Sequence, residues 1–314
     1  MKMEIDLNAP ITVQVELEFT NVCNAKCTAC PRNDLPAAGM MSVETLNKIL
    51  DFYSDNPNIL NTPPEYIIAG GGEPLINKKA IDLITAISSR NLQVSLTTNA
   101  TRITNKNAEQ LANSGLEYIY ISFWGIYKEE YERAMQLPFE DTLEKVKLIS
   151  NLTKNTSTTV IVKWLNVPAL TSTTQEMEEF WENLGIQYVS GYHDEWNRAG
   201  LNKEANKRVQ NSVIFPNTEK KIWCSDLFFS DAYSWSGDCV LCCCNYFTSK
   251  QILLGNIHIN PQEIAINKMQ IIKNRPLPKM CEQCKLPRKD RIKRLSRSFI
   301  DELSKSEQQS LLDY

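Results

Sequence analysis

The sequence predicts an α/β fold: a partial (β/α)6 barrel of parallel strands, followed by a small C-terminal domain rich in cysteine. Three observations predict it. Strand-like and helix-like segments alternate through the first two thirds of the chain, and helical crossovers of this kind join parallel neighbours, which a tight turn cannot do. Six such units are too few to close an eight-stranded barrel, so the sheet stays open and curved. The cysteines gather in two groups, one directly after the first strand and one from Cys224 onward. The expected division is a barrel over residues 1–215, an auxiliary domain over 216–298 and a tail over 299–314.

Each element has its own signal. Val13 to Phe19 alternates apolar and polar residues as a half-buried strand does. Ser42 opens a helix with Glu44 in its first turn and Leu46, Ile49, Leu50 and Phe52 on one face. Tyr66 to Ala69 is a short buried strand, Lys79 to Ser88 a helix and Leu92 to Thr97 the third strand. Asn105 to Ser114 is a helix that stops at Gly115. Tyr118 to Phe123 is a strand, and the helix Asp141 to Leu152 aligns Leu143, Val146, Ile149 and Leu152. Thr159 to Trp164, a helix from Gln175 to Leu184, and the strand Gln187 to Val189 complete the set.

Ligands of open parallel sheets gather at the carboxyl ends of the strands. That rule places the loop after the first strand, Gly71 to Glu73, Asn99, Ser122 and the segment Gly191 to Gly200 on one rim. The last of these carries His193, Asp194, Glu195 and Arg198, a density of polar chemistry that fits either a solvated loop or a ligand contact.

The first loop holds Cys23, Cys27 and Cys30 as C-x3-C-x2-C. Three thiolates this close can wrap one cubane iron-sulfur cluster and leave one iron without a protein ligand, an open site for a small molecule. Zinc would want a fourth ligand nearby, and His193 and His258 are remote. A disulfide framework does not suit a chain of this length, whose first residues lack the apolar run of a secretory leader. The glycines of Ala69-Gly-Gly-Gly-Glu-Pro-Leu75 allow close backbone approach, and the carboxylate of Glu73 beside them can receive an ammonium. Taken alone, the same glycines read as a tight turn.

In this order the motifs resemble the radical SAM superfamily, with Thr97-Thr-Asn-Ala100 and Ile121-Ser-Phe-Trp-Gly125 matching its third- and fourth-strand motifs. The resemblance implies a [4Fe-4S] cluster on Cys23, Cys27 and Cys30 whose unique iron is chelated by S-adenosylmethionine (SAM). It also implies reductive cleavage of SAM to a 5′-deoxyadenosyl radical, with electrons from a flavodoxin- or ferredoxin-type donor. Gly71, Gly72 and Glu73 would receive the methionine amino group, Asn99 and Ser122 would line the SAM site, Arg133 would face the SAM carboxylate, and Arg198 lies in an Asn-Arg-x-Gly stretch similar to one in relatives. Ala29 departs from the pattern, since relatives often place an aromatic residue there.

Cys224, Gly237, Cys242 and the pair Cys281-Glu-Gln-Cys284 resemble the SPASM or shorter twitch extension of this superfamily, which implies one auxiliary [4Fe-4S] cluster. Four cysteines with a C-x2-C also suit structural zinc. Leu241-Cys-Cys-Cys-Asn245 leaves the ligand register open among Cys242, Cys243 and Cys244. Cys239, Cys243 and Cys244 are either plain buried residues or, as the resemblance allows, hydrogen donors to a carbon radical.

Composition bounds the rest. The 314 residues are 42% apolar without a membrane-length apolar run, and a net charge of −3 argues against nucleic acid as an obligate partner. Ten cysteines suit a reducing cytoplasm. Seven basic residues between Lys285 and Arg297 fit the wet face of a terminal helix or a dock for an acidic partner. The expected substrate is a small sugar-like or aminocyclitol metabolite oxidised with help from the auxiliary cluster. The alternative is cross-linking or epimerisation of a ribosomally made peptide, for which the short stretch before Cys23 calls for a separate recognition protein. From another class, an iron-sulfur electron carrier or a zinc-stabilised binding module would share the cysteines but has no use for an open iron beside Glu73.

Overall fold

The computed structural model describes residues 12–32, 35–56, 63–165, 170–191, 227, 229–273, 278 and 281. Six parallel strands run as β1 (Gln14–Leu17), β2 (Glu65–Ile68), β3 (Val94–Thr98), β4 (Tyr118–Ser122), β5 (Thr159–Leu165) and β6 (Gln187–Gly191). Their crossovers are the helices α1 (Val43–Asp55), α2 (Ala80–Ser88), α3 (Asn105–Ala112), α4 (Lys128–Met135), α5 (Phe139–Thr153) and α6 (Thr174–Asn183).

The helix starts are set by side-chain caps. Ser42 accepts from the Thr45 amide, Thr104 pairs reciprocally with Asn107, and Thr173 does the same with Glu176. Val15, Leu17, Tyr66, Ile68, Val94, Leu96, Ile119, Ile121, Val160 and Val162 are buried in the core, while Glu16, Glu65, Tyr118, Tyr120 and Lys163 are only partly buried. The two-residue period of a strand puts these two sets on opposite faces of the sheet.

The sheet does not end at β1. The strands β7 (Ser230–Tyr233), β8 (Asp238–Val240) and β9 (Leu253–Asn256) continue it in the order β6-β5-β4-β3-β2-β1-β7-β8-β9. β1 pairs in parallel on both sides, with Leu17 opposite Ile68 and opposite Tyr233, so the carboxyl ends of β1, β2 and β7 stand level. β8 and β9 turn back antiparallel, and the helix α7 (Glu263–Lys273) packs on β9. The sheet stays open, as the count of crossovers predicts.

Two buried charged networks tie the layers. Lys268 on α7 meets Asp231 on β7 at 2.6 Å, and Asp231 also accepts from Tyr53 of α1 at 2.6 Å and from Thr12 at 2.7 Å. Glu130, in the first turn of α4, accepts from the amides of Ile126 (2.6 Å), Thr171 (2.8 Å) and Ser172 (2.9 Å). Despite the cost of burial, these donors hold the Glu130 carboxyl down at about 2. No described helix is long and apolar enough to cross a membrane.

Candidate functional site

The loop leaving β1 carries Cys23, Cys27 and Cys30, all half-buried, and nearly every neighbouring element grips it. Asn77 donates to the carbonyls of Phe19 and Met41, both at 3.0 Å, fixing where the loop leaves the strand and where the chain returns. Asn21 donates to Ala37 at 2.9 Å and accepts from the Gly39 amide at 2.9 Å. On the far side Thr28 donates to the Ala134 carbonyl at 2.9 Å, and the Cys27 thiol donates to the Met135 carbonyl at 3.7 Å. The last turn of α4 is thus the outer wall of the loop. Arg133, in that same turn, is exposed.

Gly72 explains the glycine run. A Cβ there would be driven into the carbonyl oxygens of Thr20 and Val22, and the Glu73 amide donates to Val22 at 2.8 Å. The close approach that these glycines permit is therefore to the cysteine loop of the chain itself. Gly70 takes φ +124°, which favours glycine, and the Gly71 amide donates to Glu18 at 2.9 Å.

Glu73 is buried and accepts from Thr98 Oγ1 (2.6 Å), the Asn99 amide (2.7 Å) and the Leu75 amide (3.1 Å). Burial raises its pKa against the pull of these donors. A carboxylate has about four acceptor positions, so about one is left for a ligand. Asn99 donates to Asn24 at 3.1 Å and approaches Cys23 Sγ at 3.9 Å. Ser122 ends β4, in register with Lys163 on β5. Glu73, Asn99, Ser122 and the cysteine loop therefore share the rim that the strand order implies.

The three thiols lie within electrostatic reach of one another. Burial pushes the Cys27 thiol well up, and the neighbouring Cys30 and Cys23 push it further. Among the described residues no group of three or more His, Cys, Asp or Glu stands ready as a metal cage, because Cys27 points its proton at Met135 and Cys23 accepts from the Ala25 amide. Ligation requires these thiols to lose their protons and turn from those partners. The donor set fits such a centre, and a buried Arg32 Nε without a partner among the described residues stands in the same loop.

Part of the second cysteine group shares a cluster with Cys30. Cys30 and Cys242 pack against one apolar cluster of Ala232, Val240, Cys243, Cys244, Tyr246 and Phe247. Cys242 has extended backbone, with φ −169°, and leads into a short 3-10 helix over Cys243–Phe247. Cys281 is half-buried against the main core. Cys239 faces away into that core, where burial raises its thiol well above the usual range and the Tyr233 side chain is its hydrogen-bond partner. Cys224, Cys284, His193, Asp194, Glu195, Arg198 and the basic segment from Lys285 lie outside the described residues.

Comparison with known proteins fits this geometry to a family. Residues 17–168 match the model of the radical SAM superfamily. That stretch, just under half of the chain, carries the radical SAM match. Its open parallel sheet is the fold of solved radical SAM structures. SuiB of Streptococcus suis bound to the precursor peptide SuiA is 15% identical, with a TM-score of 0.62 over 85% of this chain and 66% of that one. BtrN in complex with AdoMet and 2-DOIA is 14% identical, with a TM-score of 0.51 over 88% and 89%. Among curated sequences, the AdoMet-dependent heme synthase of Oleidesulfovibrio alaskensis is 23% identical over 59% of this chain and 46% of its own length. The chain thus spans less than half of that relative. The radical SAM family that residues 17–168 match implies a [4Fe-4S] cluster and SAM.

Sequence reasoning missed Glu18, Arg32, Trp235 and the whole of α4. Arg32 follows the cysteine motif directly, with only Pro31 between, which was its available signal. Trp235, whose amide donates to Glu18, had none, because it reaches the site only through the pairing of β7 with β1.

Proposed function

We propose that this radical SAM protein cleaves SAM reductively at a cluster held by Cys23, Cys27 and Cys30 and uses the product to take hydrogen from an unactivated C-H of its substrate. When bound, the cluster and SAM supply the 5′-deoxyadenosyl radical. The residues of the chain bind and orient. The remaining acceptor position of Glu73 receives the methionine ammonium, Gly72 lets the Glu73 backbone lie against the cysteine loop, and Gly71 lines the ligand side beside it. Asn99 and Ser122 line the ligand side of the rim, and Arg133 and Arg198 supply cations for the SAM carboxylate. The observation that carries this reading is the convergence of Glu73, Asn99 and Gly72 on the backbone and thiol of one cysteine loop.

Cys242, with Cys224, Cys281 and Cys284, holds one auxiliary [4Fe-4S] cluster, and the apolar cluster shared by Cys30 and Cys242 supports short electron transfer between the two sites. Cys243 and Cys244 remain the hydrogen-donor candidates of that group, and the burial of Cys239 favours a packing role for it. An electron acceptor beside the substrate favours oxidation. The less buried strand face presents Glu65, Tyr118, Tyr120 and Lys163, with the Lys163 ammonium 3.3 Å from the Tyr120 ring centroid. Such a polar wall suits a hydroxyl- and charge-bearing small molecule of the kind BtrN holds. The second reading is a peptide, supported by the likeness to SuiB with its precursor peptide, with a separate recognition protein as partner. A flavodoxin- or ferredoxin-type protein supplies the electrons, in the cytoplasm.

The test is anaerobic reconstitution with iron and sulfide, addition of SAM and dithionite, and measurement of 5′-deoxyadenosine. The native chain is expected to form it and Cys27→Ala to form none. No product from cluster-replete native protein, or equal product from Cys27→Ala, refutes the proposal.

A further inference from the structure

We infer that Arg32 is a positioning residue for the iron-sulfur centre, clasping the cysteine loop and holding fixed positive charge and a spare N–H beside Cys23 and Cys27, so that the bound cluster is easier to reduce. The inference rests on the cluster proposed above for Cys23, Cys27 and Cys30. Its first support is geometric. Arg32 Nη2 donates to the Asn21 carbonyl at 2.7 Å, which closes a ring of chain around all three cysteines. Asn21 is itself immobilised, since its side chain holds Ala37 and Gly39. The guanidinium is therefore anchored to a fixed point at the mouth of the loop.

The second support is an orphan. Arg32 Nε is buried and has no hydrogen-bond partner among the described residues. A buried donor left unpaired costs free energy, and the guanidinium brings a positive charge with it. Thiolate and sulfide sulfurs are acceptors that satisfy such a donor. The third support is placement: Arg32 stands two residues after Cys30 and its anchor Asn21 two residues before Cys23, so the guanidinium bridges the two ends of the cysteine loop.

Reduction adds one electron to an anionic centre, and a fixed cation beside it stabilises the reduced form more than the oxidised one. Hydrogen bonds to the sulfurs act in the same direction. Lysine could keep the charge, but it lacks the planar fork that serves Asn21 with one N–H and the sulfurs with another.

The experiment compares the full-length native chain with Arg32→Gln and Arg32→Lys, each reconstituted anaerobically with iron and sulfide. Midpoint potentials are measured by dithionite titration with redox mediators, following the EPR signal of the reduced cluster. Iron and sulfide per chain are measured on the same samples. Arg32→Gln is expected to load iron and to shift to a more negative potential, with Arg32→Lys between it and the native protein. A native potential in Arg32→Gln overturns the inference. So does failure of both variants to load iron, which makes Arg32 a clasp of the loop alone. A native chain that forms no EPR-active cluster refutes the radical SAM reading first, and the inference with it.

Discussion

Glu18 is one side chain with two obligations. It is buried, accepts from the Gly71 amide at 2.9 Å and from the Trp235 amide, and so joins the glycine segment to the β7–β8 turn. Burial lifts its pKa from 4.5 to about 7, with both amides and Arg32 pulling the other way. Between those values the folded chain keeps a proton that the unfolded chain releases. Stability therefore falls as pH rises from about 4.5 to about 7, and the penalty is full above that range. At 1.36 kcal/mol per unit this amounts to about 3 kcal/mol. Glu18→Gln keeps an acceptor for Gly71 and cannot ionise. In urea unfolding its stability is expected to vary less over this range and to exceed native stability at pH 8; parallel native and variant profiles refute the assignment. The sequence displayed Glu73 because a motif surrounds it. Glu18 was silent, since its meaning depends on Trp235, which is distant in the chain.

At the scale of elements, the glycine segment and α4 together mould the cysteine loop. Gly72→Ala is expected to push the Thr20 and Val22 carbonyls aside and to lower iron bound per chain on reconstitution, while Gly185→Ala, where a Cβ meets nothing within 4 Å, leaves iron content unchanged apart from the strain of φ +64°. Equal iron in Gly72→Ala and native protein would show that the loop tolerates displacement. The six strands and five of the six crossover helices were legible because each has a clear period or cap. α4 escaped because it is short, eight residues over Lys128–Met135, and its first turn is organised by Glu130 reaching forward to Thr171 and Ser172. Such a long-range staple has no local period to read. β7, β8 and β9 escaped for a related reason, as three- and four-residue strands whose stability comes from the sheet they join.

For the whole molecule, the C-terminal unit is continuous with the barrel sheet and tied to it by Asp231, which pairs with Lys268 inside the unit and accepts from Tyr53 of α1 and from Thr12. Removing one member leaves the other charge buried and unpaired. Lys268→Ala is expected to lose about 3–5 kcal/mol in urea unfolding, and the double change Lys268→Met with Asp231→Leu to lose less than Lys268→Ala alone. If the double variant is the less stable of the two, the pair contributes more as an ion pair than its desolvation costs. The sequence separated the two cysteine groups by about 200 residues of chain; only the topology shows them sharing an apolar cluster.

The double pairing of β1 has a consequence during synthesis. Until Ser230–Tyr233 have emerged, β1 is an edge strand, with the loop of Cys23, Cys27 and Cys30 on an unfinished margin and a row of backbone N–H and C=O groups facing water. The strand that leads into the cysteine loop waits for one made about 200 residues later to be covered. A ribosome-bound intermediate of this chain therefore carries an aggregation-prone edge beside its three thiols for most of translation, and the final hairpin is what retires it.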